Sequence, residues 1–281
     1  MARKQNTFRP GVEGLEDRAL LAAYIDYWGD LIVTGTIFND SVSVDSYTTP
    51  WGTNYIQVTQ NGASQYFLAS SVWGGDVEFY GGDGHDYFSN NVGSLRAVAY
   101  GGDGNDTLIG DANTDYLHGG AGNDSLNGWT GHDTLQGSTG DDTLSGHAGH
   151  DQLFGDAGRD SLVGADGNDS LHGGDGNDLL AGGAGNDRLG AYWSGAYWID
   201  DAGNDWLQGD AGFDTLAGGY GHDSLSGGAH DDLLWVDAGD DLLYGDDGHD
   251  QLIGGTGDDD LVGGFGNDQM WGEAGSDRLW G

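Results

Sequence analysis

Cysteine is absent from this chain of 281 residues, and proline (two residues) and basic side chains (eight Lys and Arg) are scarce. Without cysteine, no disulfide can cross-link the fold and no thiolate can hold a soft metal ion. No run of about 18 apolar residues occurs, so the sequence predicts no membrane-spanning helix. Against the eight basic residues stand 47 Asp and Glu, which gives a net charge of -39. Such a surface repels nucleic acid and anionic lipid and favours a cation as partner.

Glycine, by contrast, supplies 57 residues. Such a content is typical of disordered or fibrous chains, because each glycine loses much backbone freedom on folding. A conventional mixed core is therefore not expected. An acidic, glycine-rich disordered tail is the simplest alternative, but disorder requires no fixed period and this sequence has one.

A nonapeptide repeat runs without a gap from residue 101 to residue 280, in twenty consecutive units. Place six of the unit is Asp in nineteen copies, place eight is Leu in eighteen, and place four is Gly in seventeen. The copy at 191–199 lacks the Asp and has Ala196 instead. Conserved phase over twenty units indicates a solenoid in which each unit stacks on its neighbours.

Two earlier segments, 81–89 and 35–43, repeat the pattern more faintly, with Asp86 and Asp40 at place six. On units such as 119–127 (GGAGNDSLN), the chain resembles the RTX, or hemolysin-type calcium-binding, repeat family. The resemblance covers nearly two thirds of the sequence. It implies an all-β fold, a parallel β-roll, in which calcium ions bind between glycine-rich turns.

The residue types agree with such a roll. Places one to six form a turn and places seven to nine a short strand, in which alternation points the Leu at place eight inward. Glycines at places one, two and four allow positive φ angles and leave the carbonyl groups uncovered. Two units then make one coil of eighteen residues, and ten coils stacked about 4.8 Å apart give a rod of roughly 48 Å.

Stacking aligns the aspartates at place six in two columns, where they repel one another unless a cation lies between them. Calcium binds six to eight hard oxygens at about 2.3–2.6 Å, which two Asp side chains and glycine carbonyls of successive coils would supply. The rod is therefore expected to be mostly unfolded without calcium. The predicted metal ligands are Asp86 and two columns, one of Asp106, Asp124, Asp142, Asp160, Asp178, Asp214, Asp232, Asp250 and Asp268, interrupted at Ala196, and an unbroken one of Asp115, Asp133, Asp151, Asp169, Asp187, Asp205, Asp223, Asp241, Asp259 and Asp277.

Two other metals were weighed. Magnesium is a poor substitute, since it holds water tightly and demands a rigid octahedron. Zinc is suggested by the nine histidines. Five of them occupy place five, where Asn and Asp also occur, and this pattern is typical of solvated turn residues: His85, His132, His150, His222 and His249.

The first 23 residues form a separate segment with a basic start and no apolar run of signal-peptide length. They are similar to the LEPR-XLL-type segment of exported planctomycete proteins. Asp17 departs from that pattern, which has proline there, while the matching positions are Leu15, Glu16, Arg18, Leu20 and Leu21. The resemblance implies an export or sorting role, and hence a secreted or cell-surface protein.

Residues 24–80 alternate like β-structure and are predicted to cap the open end of a roll that spans 81–281. Asn61 and Gly62 indicate a turn between two of the strands. A separate small binding domain is the alternative. The predicted strand segments are 31–34, 41–44, 55–58, 65–68 and 77–80.

Two irregularities concern aromatic residues. The unit 191–199 contains four of them and predicts a calcium-free turn whose rings cover the stack, or else a platform for a sugar ring. Near the end, place nine becomes apolar in two outward stripes, which indicates a partner surface or, alternatively, lateral packing. The stripes are Trp235, Ile253 and Trp271 on one side and Tyr244, Val262 and Trp280 on the other.

No motif of an enzyme was found: the sequence has no Gly-x-Ser-x-Gly, no His-Glu-x-x-His and no phosphate loop. No amphipathic or apolar helical segment precedes the repeats, which disfavours a pore-forming toxin. The sequence therefore predicts an extracellular calcium-binding repeat protein with a structural role and no catalysis. The alternative is a calcium-dependent adhesin or matrix component that binds glycans or itself through the aromatic stripes.

Overall fold

The computed structural model describes residues 22–61, 63–190, 192–193, 198–199 and 202–281. These residues form strands and turns, with one short 3-10 helix at Ala69–Ser71. Two long sheets face each other across a thin core. Apart from Ala22 and Ala23, the predicted export segment lies outside the described residues, and so does Gly62 of the predicted turn.

The N-terminal part mixes antiparallel and parallel pairing. β1 pairs antiparallel with β2, and β3, β4 and β5 form an antiparallel meander, whereas β6, β7 and β8 pair in parallel. All five predicted strand segments lie within strands β2 to β6, which confirms them. The strands are β1 (Ala22–Ile25), β2 (Leu31–Thr34), β3 (Ser41–Thr48), β4 (Asn54–Gln60), β5 (Ala63–Leu68), β6 (Asp76–Asp83), β7 (Tyr87–Asn91) and β8 (Arg96–Asp103).

From residue 107 onward, short strands alternate between the two sheets. The strands are β9 (Thr107–Ile109), β10 (Tyr116–Ala121), β11 (Ser125–Asn127), β12 (Thr130–Gly131), β13 (Thr134–Thr139), β14 (Thr143–Gly149), β15 (Gln152–Ala157), β16 (Ser161–Asp166), β17 (Ser170–Asp175), β18 (Leu179–Ala184), β19 (Arg188–Gly190), β20 (Tyr192–Trp193), β21 (Trp198–Ile199), β22 (Trp206–Ala211), β23 (Thr215–Ala217), β24 (Ser224–Ala229), β25 (Leu233–Trp235), β26 (Leu242–Gly248), β27 (Gln251–Ile253), β28 (Asp260–Val262), β29 (Phe265–Gly266), β30 (Gln269–Trp271) and β31 (Arg278–Trp280).

The two sheets are the walls of a parallel solenoid, which confirms the predicted β-roll. The first sheet has the order β1-β2-β6-β8-β10-β13-β15-β17-β19-β23-β25-β27-β30. The second sheet runs β5-β4-β3-β7-β9-β11-β14-β16-β18-β22-β24-β26-β28-β31. Registers such as Leu126 opposite Leu144 and Leu117 opposite Leu135 confirm a coil of eighteen residues.

The core is one row of Leu side chains from each sheet, as the repeat predicts. From Leu108 to Leu261 the leucines at place eight are almost completely buried. Toward the N-terminus larger side chains take over, and the rings of Phe79 and Phe88 stack with centroids 4.9 Å apart. A single Leu for every nine residues buries little apolar surface against the entropy of ordering those residues, so the roll needs further stabilisation.

The unit 191–199 does not form a turn of the stack, and the prediction that it would interrupt one column at Ala196 was wrong. Leu179 lies opposite Trp206 and Leu189 opposite Leu216, a step of 27 residues instead of eighteen. The nine extra residues leave the coil after Gly190, which has a φ of +87°. Within them, β20 and β21 pair antiparallel in a small sheet of their own.

Candidate metal-binding turns

All the aspartates predicted as ligands lie in two columns, but the excursion at 191–199 exchanges the C-terminal halves of the columns. The first column is Asp86, Asp106, Asp124, Asp142, Asp160, Asp178, Asp205, Asp223, Asp241, Asp259 and Asp277. The second column is Asp115, Asp133, Asp151, Asp169, Asp187, Asp214, Asp232, Asp250 and Asp268. Each column is continuous where the sequence predicted one break.

One carboxylate oxygen of each aspartate ties successive coils together. The backbone N–H of Asp106 donates to Oδ1 of Asp124 at 2.7 Å, and the same bond recurs along both columns. Across the excursion, the N–H of Asp178 donates to Asp205 Oδ1 at 2.8 Å and that of Asp187 to Asp214 Oδ1 at 2.7 Å. Hydrogen bonds of this charge-assisted kind are stronger than neutral ones, so the aspartates fix the register of the turns.

The other oxygen, Oδ2, is buried and has no hydrogen-bond partner among the described residues in most of these aspartates. A buried carboxylate oxygen without a partner is costly, and its recurrence at one position of every turn indicates a missing ligand. The aspartates with this feature include Asp86, Asp106, Asp124, Asp133, Asp142, Asp151, Asp160, Asp169, Asp187, Asp214, Asp232, Asp241, Asp250 and Asp259.

Glycine at place one makes room for these oxygens. A Cβ atom on Gly101 would lie 2.2 Å from Asp106 Oδ2 and 2.6 Å from the carbonyl oxygen of Gly119 in the next coil. Positive φ angles occur at places two and four, as in Gly102 (+114°) and Gly104 (+137°), but not at Gly101. The prediction of a positive φ was therefore wrong for place one, where the absent side chain is what matters.

The donors that converge on this space are hard oxygens. Among the described residues, no group of three or more His, Asp or Glu side chains is close enough to hold one metal ion. An ion between two turns must therefore take backbone carbonyl oxygens besides the carboxylates. That mixture suits calcium, which accepts many oxygen ligands in a flexible geometry, better than zinc, which prefers four nitrogen, sulfur or carboxylate ligands.

The aspartates carry the electrostatic mark of a site that requires a cation. Burial raises the pKa of Asp124 to about 7; the N–H of Asp106 opposes the rise and the Asp142 and Asp106 carboxylates add to it. Burial likewise raises the pKa to about 7 at Asp133 and Asp232. A divalent ion beside the carboxylates would favour their charged form.

The N-terminal end of the first column is closed by protein groups. Asp40, in the faint copy 35–43, donates its N–H to Asp86 Oδ1 at 2.6 Å. Its own Oδ2 accepts hydrogen bonds from the N–H and the hydroxyl of Thr36, and Oδ1 accepts from the amides of Gln60 and Asn61. Four protein donors thus satisfy the Asp40 carboxylate without a cation.

The second column ends in a similar way at Asp115. Its Oδ1 accepts the N–H of Ala97 at 2.6 Å, and its Oδ2 accepts the N–H of Asp111 at 2.8 Å. Unlike the aspartates of the following coils, Asp115 therefore has a partner for both oxygens. Sequence reasoning placed Asp115 with the other ligands because its unit has the same length and the same Asp.

A second ladder, at place five, was not recognised in the sequence. His132 Nδ1 accepts the N–H of His150 at 2.8 Å, and His150 Nδ1 accepts the N–H of Asn168 at 2.7 Å. His85, His222 and His249 do the same for the next coil. Asn, Asp and His share only an acceptor atom at this position, and that was the available signal.

The comparisons with known proteins agree with this geometry. The family model for the RTX calcium-binding nonapeptide repeat (4 copies) matches residues 100–135, 130–162, 155–189, 199–234, 218–252, 226–261 and 253–281. The matches stop at residue 189 and resume at residue 199, on either side of the segment that leaves the stack. No curated protein matches the chain. In the part of the chain that the structure describes, no helix is long and apolar enough to cross a membrane.

Together, the matched residues cover more than half of the sequence, and the fold is the parallel solenoid that the repeat predicts. The chain belongs to the family of RTX calcium-binding nonapeptide repeat proteins.

Proposed function

We propose that the chain is a structural module whose roll folds by binding many calcium ions, one between successive turns along each column. The observation that carries the proposal is the row of buried Oδ2 atoms without partners, such as those of Asp124 and Asp142. Each faces the place-one glycine of its own turn, as Asp142 Oδ2 faces Gly137. The predicted aspartates are thereby assigned as ligands, with Asp115 weakest because both of its oxygens already have partners.

In each site, the carboxylate at place six would act together with backbone carbonyls. Gly119 O lies near Asp106 Oδ2, and Gly173 O occupies the equivalent place near Asp160 Oδ2. Bound calcium would neutralise neighbouring carboxylates and connect two coils by metal–oxygen bonds. Because the ligands meet only in the folded roll, the binding free energy is available as folding free energy.

Location and catalysis complete the proposal. A roll that stays soft at low calcium and folds at the higher calcium concentrations outside cells suits an exported protein, and the LEPR-XLL-like N-terminal segment supports export. Residues 24–80, with the self-satisfied carboxylate of Asp40, serve as a cap for the roll at 81–281. The aspartates are accounted for by the repeat, so we assign the chain no catalytic role.

The test is a calcium titration of the full chain followed by circular dichroism, with magnesium as control. We expect a cooperative gain of β-signal with calcium and little with magnesium. A chain that is equally folded in excess chelator would refute calcium-driven folding, although the family assignment would stand.

A second candidate function is a calcium-dependent adhesin or matrix component. The predicted stripes exist: Trp235, Ile253 and Trp271 are in register on the first sheet, and Tyr244, Val262 and Trp280 on the second. Large exposed rings such as Trp271, at 44%, favour a partner surface. Replacing Trp235 and Trp271 by Ser should weaken glycan binding or self-association; unchanged sedimentation and glycan binding would argue against this stripe.

A further inference from the structure

The outer face of the second sheet, from β9 to β31, is almost free of charge in a chain of net charge -39. Its outward side chains come from places seven and nine of ten strands. Among them, the charged residues are Asp260 and Arg278, which form an ion pair with each other. We call this surface the neutral face. The acidic residues are concentrated in the turns on either side of it.

Two kinds of side chain alternate along the neutral face. Hydroxyl and amide groups, as in Thr143 and Asn127, can donate and accept hydrogen bonds. Between them stand exposed apolar groups, of which Trp206 is 57% and Leu179 is 45% exposed. Leu179 and Trp206 are direct neighbours across two strands. Tyr244 projects from β26, two strands beyond Trp206, so the two rings are about 10 Å apart along the rod axis.

The dimensions of the neutral face decide between two occupants. Strands of three residues make it about 10 Å wide, and ten strands make it roughly 48 Å long, or about 500 Å². A standard protein interface buries about 800 Å² on each partner, so a second copy of the chain would be held weakly. A long and narrow band instead fits one extended polymer chain lying along the axis.

The charges beside the face limit the chemistry of that polymer. Exposed aspartates outside the two columns, such as Asp141, Asp231 and Asp258, remain on the turns whether or not calcium fills the columns. They repel polyanions and further copies of this acidic chain. A neutral polymer with hydroxyl groups and apolar ring faces escapes that repulsion, and it matches the mixture of aromatic, hydroxyl and amide groups on the face.

We propose that the neutral face binds a linear, uncharged polysaccharide along the rod axis, with Trp206 and Tyr244 as stacking platforms. This assignment deepens the second candidate function by naming the class of glycan and moving its site to the second sheet. It requires the calcium-loaded roll, but it does not depend on the stripe at Trp235 and Trp271.

The experiment is depletion of the full chain from solution, in calcium, by insoluble cellulose and chitin and in gel-shift assays with xylan; alginate serves as the anionic control. The test variant is Trp206→Ser with Tyr244→Ser, because serine already occupies the equivalent positions Ser224 and Ser226. The matched control is Trp271→Gln on the opposite sheet. Circular dichroism of each variant in calcium confirms that the roll is folded.

We expect binding to at least one neutral polysaccharide, none to alginate, a loss of roughly tenfold or more in the double variant, and no change in the control. Absence of binding by a folded roll overturns the proposal and leaves the calcium function intact. An equal loss in Trp271→Gln assigns the glycan to the first sheet and refutes the neutral face. A dimer in sedimentation that the double variant abolishes identifies a second copy as occupant and also refutes it.

Discussion

Replacing Asp142 by Asn should have opposite effects with and without calcium. Asn retains an oxygen that can accept the N–H of Asp124, as Asp142 Oδ1 does at 2.7 Å. It lacks the charge and the second carboxylate oxygen, which is buried and without a hydrogen-bond partner. The variant therefore separates the role of Asp142 in fixing the register from its role as a metal ligand.

The calcium-free effect has an upper bound. Burial raises the pKa of Asp142 from 3.8 to about 7, with the N–H of Asp124 opposing and the carboxylates of Asp160, Asp141 and Asp156 adding to the rise. At about 1.4 kcal/mol for each pKa unit, the ionised carboxylate costs the calcium-free roll no more than about 4 kcal/mol. Asp142→Asn removes that cost, so in chelator above pH 7 the variant should be at least as stable as the parent.

In calcium the sign reverses. A site that binds calcium at a hundred times its Kd contributes about 2.7 kcal/mol, so weakening one site should lower the free energy of unfolding by about 2–3 kcal/mol. Urea unfolding followed by circular dichroism, in chelator and in calcium, measures both effects. The calcium midpoint of folding should also rise.

Asp141→Asn is the matched control. It makes the same chemical change one residue away, but Asp141 is exposed and forms a surface ion pair with Arg159 at 3.1 Å. Such pairs contribute about 0–1 kcal/mol, so this variant should leave the calcium midpoint unchanged. Equal effects of the two variants, or an Asp142→Asn variant that is destabilised as much in chelator as in calcium, would refute the reasoning.

Three further predictions concern the turns and the register. The raised pKa values of the column aspartates mean that the calcium-free roll is most stable below about pH 4 and loses that stability as the pH rises through 6–7; in chelator, the β-signal should therefore grow from pH 7.5 to pH 5, and a decrease would contradict the assignment. Cysteines at Leu179 and Trp206 should form a disulfide in calcium, as should the control pair at Ser161 and Leu179; a bond in the control pair alone would disprove the step of 27 residues. Changing His150 to Ala should cost about 1 kcal/mol in thermal unfolding, whereas Asn should cost little because it keeps an acceptor for the N–H of Asn168; equal losses would show that the ladder at place five is not what stabilises this turn.

The period of the sequence was sufficient to predict the roll, its two leucine rows and the columns of aspartates. It failed at 191–199, because an insertion as long as one unit keeps the phase on both sides and is invisible to counting. The remaining signal was composition: the unit lacks both the Asp at place six and the Gly at place four, which Ser194 replaces. A unit without those residues cannot build the turn, so its exclusion from the stack has a physical cause.

Two details of the turn depend on three-dimensional proximity and escaped the sequence. Glycine at place one is required by the neighbouring carboxylate and by a carbonyl eighteen residues away, as Gly101 shows with Asp106 and Gly119. Nothing in a local pattern distinguishes that reason from a positive φ. The acceptors at place five likewise serve the backbone of the next coil, so they looked like solvated residues when taken one unit at a time.

The N-terminal region was predicted at the level of strands and not of pairing. The alternation located β2 to β6, but it could not show that β3, β4 and β5 extend the second sheet as an antiparallel meander. The role of Asp40 was equally hidden. Its partners Gln60 and Asn61 come from the end of β4, twenty residues further along the chain, and no repeat links them.

The most direct test of calcium as the ligand between the turns is the anomalous scattering of crystals of the calcium-loaded full chain. The account predicts two rows of calcium peaks, each beside the Oδ2 atoms of one column, with the rows continuing without a break from Asp178 to Asp205 and from Asp187 to Asp214. Peaks confined to the exposed aspartates of the surface, or turns that contain no calcium at saturating concentration, would contradict it.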